Sequence, residues 1–113
     1  VELVEELLPL ESSLGFGGDR YIRYLALWQK TPVAISALYL DAGVAGVYFV
    51  ATLPEARGKG IGTHVTQTAL EDAQKLGYRV AILQTSAMGK NVYQRLGFQE
   101  CCPLEIYLWQ PPE

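Results

Sequence analysis

The sequence predicts an α/β (α+β) domain built on a mixed, mostly antiparallel, twisted sheet. Three observations carry that reading: strand-like runs up to Thr52, a switch to helical spacing at Ile61, and a return to strand-like runs after Gly77. With 113 residues and half of them hydrophobic, the chain holds one core and has no room for two domains.

Residues 1–20 mix an acidic, Leu-rich stretch (Glu5, Glu6, Leu7, Leu8) with Gly15, Gly17 and Gly18, which reads as a short helical piece and a flexible connection. The domain proper is therefore taken as 21–113. Aromatic and apolar residues make Tyr21 to Gln29 a strand, Lys30-Thr31-Pro32 a turn, and Val33 to Leu40 a second strand of a hairpin. A further turn at Asp41-Ala42-Gly43 leads into Val44 to Thr52, whose density of β-branched and aromatic residues fits a central strand. Pro54 cannot donate to a ladder and closes that strand near Leu53.

Ile61, Val65, Ala69, Ala73 and Leu76 recur at helical spacing, with Gly77 as the stop. A short strand at Arg79 to Gln84 completes strand, helix, strand, the size of a parallel crossover unit. A second helix over Gly89 to Leu96 ends at Gly97, and strands follow at Phe98 to Cys102 and Glu105 to Trp109.

Composition removes several functions. The net charge of -3 and scattered cations give no basic stripe for nucleic acid. No run approaches the roughly 20 apolar residues that span a bilayer, and the start carries no signal-peptide pattern, so no membrane partner and a cytoplasmic location are expected. Cys101 and Cys102 are adjacent and read as reduced; with His64 as the only histidine they form no metal set. The chain starts on Val1, which fits a piece of a longer protein.

The chemistry concentrates at Arg57-Gly58-Lys59-Gly60-Ile61-Gly62. Glycines between a strand and a helix allow positive φ and close approach of a ligand to the backbone. The first helical N–H groups lack intrahelical acceptors and meet the positive end of the macrodipole, so an anion belongs there. The nucleoside triphosphate pattern G-x-x-x-x-G-K-[ST] is absent. The dinucleotide pattern fails as well: Thr63 stands at its third glycine place, and no acidic residue lies about twenty positions on.

What fits is R-x-x-G-x-G, met by Arg57, Gly60 and Gly62, with Ser86 to Phe98 downstream ending in Tyr93-Gln94-Arg95-Leu96-Gly97-Phe98. In these two motifs, their order and their separation, the sequence resembles the GNAT superfamily of N-acetyltransferases, over roughly Tyr21 to Trp109. The resemblance implies helices on both faces of the sheet, acetyl-CoA as co-substrate, no metal, and direct transfer of acetyl to a primary amine of a small molecule or peptide. It also implies a chain short of the strand and two helices that relatives carry before the hairpin. A homodimer or an N-terminal domain outside the chain would then complete the acceptor side.

Carried over residue by residue, the resemblance makes Val50, Ala51 and Thr52 backbone partners of the pantetheine arm. It makes Arg57, Gly58, Lys59, Gly60, Ile61, Gly62 and Thr63 the pyrophosphate cradle, with Arg57 and Lys59 adding charge. Tyr93 matches the tyrosine that protonates the departing sulfur. Ser86 stands where many relatives have Asn, leaving its hydroxyl to bond the CoA arm. Val44 to Thr52 lacks the carboxylate often found on that strand, so the general base is unassigned. These two departures motivate a rival reading, a catalytically weak or inactive acyl-CoA-binding or regulatory module. His64 is assigned to solvent or the adenosine end of the ligand, Cys101 and Cys102 to the core, and Trp28, Tyr39, Tyr48 and Trp109 to core packing ahead of an acceptor groove.

Overall fold

The computed structural model describes residues 2–5 and 20–113. Five strands form one sheet in the order β1 (Glu2–Glu5), β2 (Tyr21–Trp28), β3 (Thr31–Asp41), β4 (Val44–Thr52) and β5 (Ala81–Ile82). The first three pairings are antiparallel and β4 with β5 is parallel, so the sheet is mixed and mostly antiparallel, as the sequence predicts. Residues 2–5 form an edge strand, and the expected helical piece at Glu5 to Leu8 lies, beyond Glu5, outside the described residues. Glu2 to Glu5 pair antiparallel with Leu27 to Tyr24. The predicted flexible connection lies outside the described residues.

The hairpin between β2 and β3 is tighter than the Lys30-Thr31-Pro32 turn predicted. Gln29 and Lys30 alone make the loop, with φ of 51° and 66°. Positive φ at both loop residues matches the twist of the flanking strands, so β3 starts already at Thr31. Pro32 is accommodated because the register shifts between Ala26 and Leu27, its partner. Ala42 and Gly43 repeat the same geometry before β4, and Asp41 Oδ1 accepts from Ala42 N at 2.8 Å.

Helix α1 (Ile61–Lys75) buries Ile61, Val65, Thr66, Ala69 and Ala73, four of the five positions predicted from spacing; Leu76, the fifth, is at the exposed C-cap. Its apolar face covers Ile22, Tyr24, Leu38, Leu40 and Val47 of the central strands. A smaller cluster of Ala26, Val33, Ala34, Ala56 and Ile61 closes the core below the glycine loop. Two polar contacts fix the helix on the sheet: Tyr24 Oη donates to Asp72 Oδ2 at 2.6 Å, and Ser36 Oγ to Val65 O at 3.3 Å. At its end, Gly77 takes φ of 94°, and the amides of Gly77 and Tyr78 donate to Gln74 O and Ala73 O. That pairing satisfies orphan carbonyls and stops the helix where the sequence predicts. Leu38 has no exposed surface. Leu38→Ala is expected to cost about 2–5 kcal/mol through lost transfer energy and a residual cavity, read as a lower denaturant midpoint.

Helix α2 (Lys90–Arg95) ends in the same way, with Gly97 at φ of 103° and Phe98 N donating to Tyr93 O. On either side of it, strand expectations fail. The Arg79 to Gln84 strand shrinks to Ala81–Ile82, and neither Phe98 to Cys102 nor Glu105 to Trp109 forms a strand. Strand propensity needs a pairing neighbour, and no described residue pairs with these segments. Cys101 and Cys102 are exposed rather than core, as are Trp28, Tyr39 and Trp109. Tyr48 is half-buried, with its ring over Gly46, while Tyr39 packs edge-on against Tyr21 at 6.2 Å.

Candidate active site

The site arises from two irregularities in β4. Its parallel neighbour β5 pairs only at Ala45 and Gly46, so from Val47 onward that edge of β4 has no strand beside it among the described residues. On its other edge the partners run from Ile35 opposite Ala51 to Ala37 opposite Tyr48, so β4 uses one residue more than β3. The extra residue is a bulge, and within it Phe49 takes φ of 56° and is 68% exposed. Left-handed backbone is uncommon for a residue with a Cβ, and it is found mostly where the surroundings over-determine it. A cleft of about 880 Å³ opens along this stretch, between Val47 to Thr52 on one wall and Leu83 to Ser86 with Gly89 and Tyr93 on the other.

The glycine loop closes one end of the cleft. Pro54–Ala56 makes a single 3-10 turn after β4, and Arg57 follows in extended conformation. Gly58 and Gly60 have φ of 79° and 76°, and a Cβ on either would meet nothing within 4 Å, so the loop faces open space. Gly60 is the N-cap of α1 and offers no side chain to cap it. Among the described residues, the amides of Gly58 through Thr63 donate to no backbone or side-chain acceptor; the first intrahelical bond is His64 N to Gly60 O. A row of N–H groups without an acceptor among the described residues, at the start of a 15-residue helix, is a site for an anion.

Of the twelve residues singled out from the sequence, eleven line this one cleft: Tyr93, Val50, Ala51, Thr52, Arg57, Gly58, Gly60, Ile61, Gly62, Thr63 and Ser86. Lys59 is the exception. Its ammonium lies 5.2 Å from the centroid of the Trp28 ring, a cation–π contact outside the cleft lining. Arg57 is held from behind, because its Nε donates to Thr52 O at 3.2 Å, tying the loop to the last residue of β4. His64 is exposed and is not among the residues lining the cleft.

Tyr93 stands on α2 with its ring edge-on to Phe98 at 6.1 Å. Burial pushes its phenol above the ordinary value of 10.0, so it is a proton donor at neutral pH. Gly89 lets it sit close: a Cβ there would come within 3.0 Å of Tyr93 Cε2 and 2.8 Å of Thr85 Oγ1. Ser86 O accepts from Thr85 Oγ1 and from Gly89 N, which fixes the turn leading into α2.

Sequence reasoning missed Phe49 and Arg95, which also line the cleft. A basic residue in the last turn of the second motif was a signal for Arg95. No residue type marked the bulge at Phe49, since neither Gly nor Asn stands there. Among the described residues, none that lines the cleft is Asp, Glu or His.

Residues 4–98 match the model of the acetyltransferase (GNAT) family. The chain belongs to that family. Among curated relatives, it is 38% identical over 60 residues to an uncharacterized N-acetyltransferase of Methanocaldococcus jannaschii, covering 50% of this chain and 26% of that protein. It is 27% identical to the thialysine N-epsilon-acetyltransferase of Mus musculus, over 94% of this chain and 59% of the mouse protein. The chain thus spans a quarter to three fifths of the length of these two relatives.

The GNAT fold is equally plain in solved structures. An aminoglycoside N-acetyltransferase in complex with CoA superposes with a TM-score of 0.76 at 15% identity, over 96% of this chain and 99% of that one. A glucosamine-6-phosphate N-acetyltransferase from Arabidopsis thaliana gives 0.73 at 16%, over 82% and 69%. A predicted acetyltransferase from Clostridium acetobutylicum, solved with acetyl-CoA, gives 0.71 at 20%, over 92% and 79%. Among the described residues, no helix is long and apolar enough to cross a membrane and no group of His, Cys, Asp or Glu is arranged to hold a metal.

Proposed function

We propose that this GNAT chain is an N-acetyltransferase that moves acetyl from acetyl-CoA directly to a primary amine. The observation that carries the reading is the row of amides from Gly58 to Thr63, without an acceptor among the described residues, at one end of a cleft whose far wall bears Tyr93. The cradle suits a diphosphate: its amides lack acceptors, its glycines hold the backbone open, and Arg57 and Arg95 add positive charge along the lining. Val50, Ala51 and Thr52, on the β4 edge without a strand neighbour, offer main-chain groups to an amide-bearing arm, as an edge strand does to an added strand.

Acetyl-CoA supplies an activated thioester when bound. Tyr93 then gives its proton to the leaving sulfur, a step that its raised pKa keeps available at neutral pH. The attacking amine must be neutral, and an amine of ordinary pKa near 10 is mostly charged at pH 7. Among the described residues, no lining side chain can take that proton as a carboxylate or imidazole. Water reaching the open cleft takes it, or the cleft's two arginines lower the amine's pKa by like-charge repulsion. The relatives named for thialysine, glucosamine 6-phosphate and aminoglycosides support an amine acceptor as the class.

A second reading follows from the same missing base: a module that holds acyl-CoA and does not turn it over. Calorimetry with CoA and release of free thiol from acetyl-CoA across a panel of amines separate the two. Binding with amine-dependent thiol release is the expected result. Binding without release for any amine supports the second reading, and no binding removes both.

A further inference from the structure

Gly58 and Gly60 line the cleft, whereas Lys59 between them sends its ammonium the other way, to 5.2 Å from the centroid of the Trp28 ring. Trp28 is the last residue of β2 and is 37% exposed. The two-residue loop of Gln29 and Lys30, left-handed at both positions, follows it at once and pins the ring at the end of the strand. Its partner Thr31 lies three residues before Ala34, which pairs with Thr52. Trp28 therefore stands at the end of the sheet where β4 gives way to the glycine loop, on the side of that loop away from the cleft.

Both members of the pair are open to a better partner. Among the described residues Lys59 meets no carboxylate, because the ion pairs there are Arg20 with Asp41 and Lys90 with Glu100. A cation–π contact at an exposed site is weak, and a nucleic-acid base stacked on an aromatic ring is worth more. A base can therefore take the place of the ammonium on the ring. The ammonium, on a flexible four-carbon stem, is then a point charge suited to a phosphate.

The diphosphate proposed for the cradle has two substituents. One runs past Thr52, Ala51 and Val50 toward Tyr93, inside the cleft. The other leaves on the far side of the loop, where Trp28 and Lys59 stand. In CoA that second substituent is adenosine with a 3′-phosphate, a flat base and a phosphomonoester on one ribose. Resting on the CoA reading above, we infer that Trp28 and Lys59 form a subsite for this group: the base stacks on Trp28 in place of the ammonium, and Lys59 turns to the 3′-phosphate. The subsite makes Lys59 a residue that tells CoA from dephospho-CoA, and leaves the pyrophosphate to the backbone amides and Arg57.

Calorimetry with CoA, dephospho-CoA and 4′-phosphopantetheine tests this, with tryptophan emission on the same samples. Wild type should bind CoA about tenfold or more tighter than dephospho-CoA, and Lys59→Gln should bring that ratio below about threefold. Trp28→Ala should weaken CoA and dephospho-CoA by about tenfold each and leave 4′-phosphopantetheine, which has no base, unchanged. Trp28→Phe keeps a ring to stack on and should retain most of the affinity. It also leaves Trp109 as the only tryptophan of the two, so quenching by adenosine 3′,5′-bisphosphate should be seen in wild type and lost in this variant. Equal loss for 4′-phosphopantetheine in Trp28→Ala would mean a distorted cradle and overturn the subsite. CoA affinity within about threefold of wild type in both Trp28→Ala and Lys59→Gln overturns the subsite alone, whereas a wild-type chain that binds no CoA overturns the CoA reading with it.

Discussion

Tyr93→Phe is expected to lower kcat for acetyl transfer by about a hundredfold or more while the KM for acetyl-CoA changes little, because general acid catalysis contributes roughly two to four orders of magnitude. The ring stays edge-on to Phe98 and keeps its wall of the cleft, so only the proton is lost. The pH profile sharpens the test. Burial raises the phenol above 10.0, so in the wild type the acid stays protonated past the ordinary value and its loss of activity begins only above that point. The sign for stability is the same: the neutral phenol's contribution is intact below 10.0 and is lost as pH climbs through the raised value. Steady-state rates from neutral pH upward check both statements. A variant that keeps its rate within about threefold would remove Tyr93 from the acid role, since a shift of that size is well under 1.4 kcal/mol.

Gly60→Val should weaken CoA binding by about tenfold or more, measured by calorimetry. Gly60 holds φ of 76° at the N-cap of α1, where a β-branched residue is a genuine outlier. Nothing lies within 4 Å of a Cβ at that position, so the effect comes from backbone strain that pulls the Ile61 to Thr63 amides off their common focus rather than from a clash. Gly43→Val is the control. Its φ is 75° and its surroundings are equally open, but it sits in the turn before β4, outside the cleft. It should cost comparable stability and leave CoA affinity unchanged; equal loss of affinity in both variants would mean that general destabilisation, not the cradle, was being read.

The parts of this structure written in local sequence were legible. Ile61, Val65, Ala69 and Ala73 repeat at the helical period and are buried on one face, and Gly77 and Gly97 end their helices with the left-handed geometry that glycine permits. The glycines of the loop mark a backbone that a ligand can approach, which is why eleven of the twelve residues named from sequence meet in one cleft. Lys59 escaped because a flexible cation has two attractive fates, an anion or an aromatic face, and the position of Trp28 is tertiary information.

The strands expected at Phe98 to Cys102 and Glu105 to Trp109 failed for a related reason. Propensity describes what a segment does when a neighbour is available, and these have none within the described chain. The edge strand at Glu2–Glu5 does have such a neighbour, β2. Phe49 was invisible because a bulge is set by the mismatch of two registers, and only one of them can be read along β4 itself.

The extra residue in β4 has a bearing on how such a domain can change. The gap beside it is created by the main chain, where one strand outruns its neighbour, and owes nothing to the identity of the side chains along the rim. An exposed lining residue such as Ala51 can therefore exchange for a larger neighbour and reshape what fits inside, while the opening itself persists as long as the count of residues does.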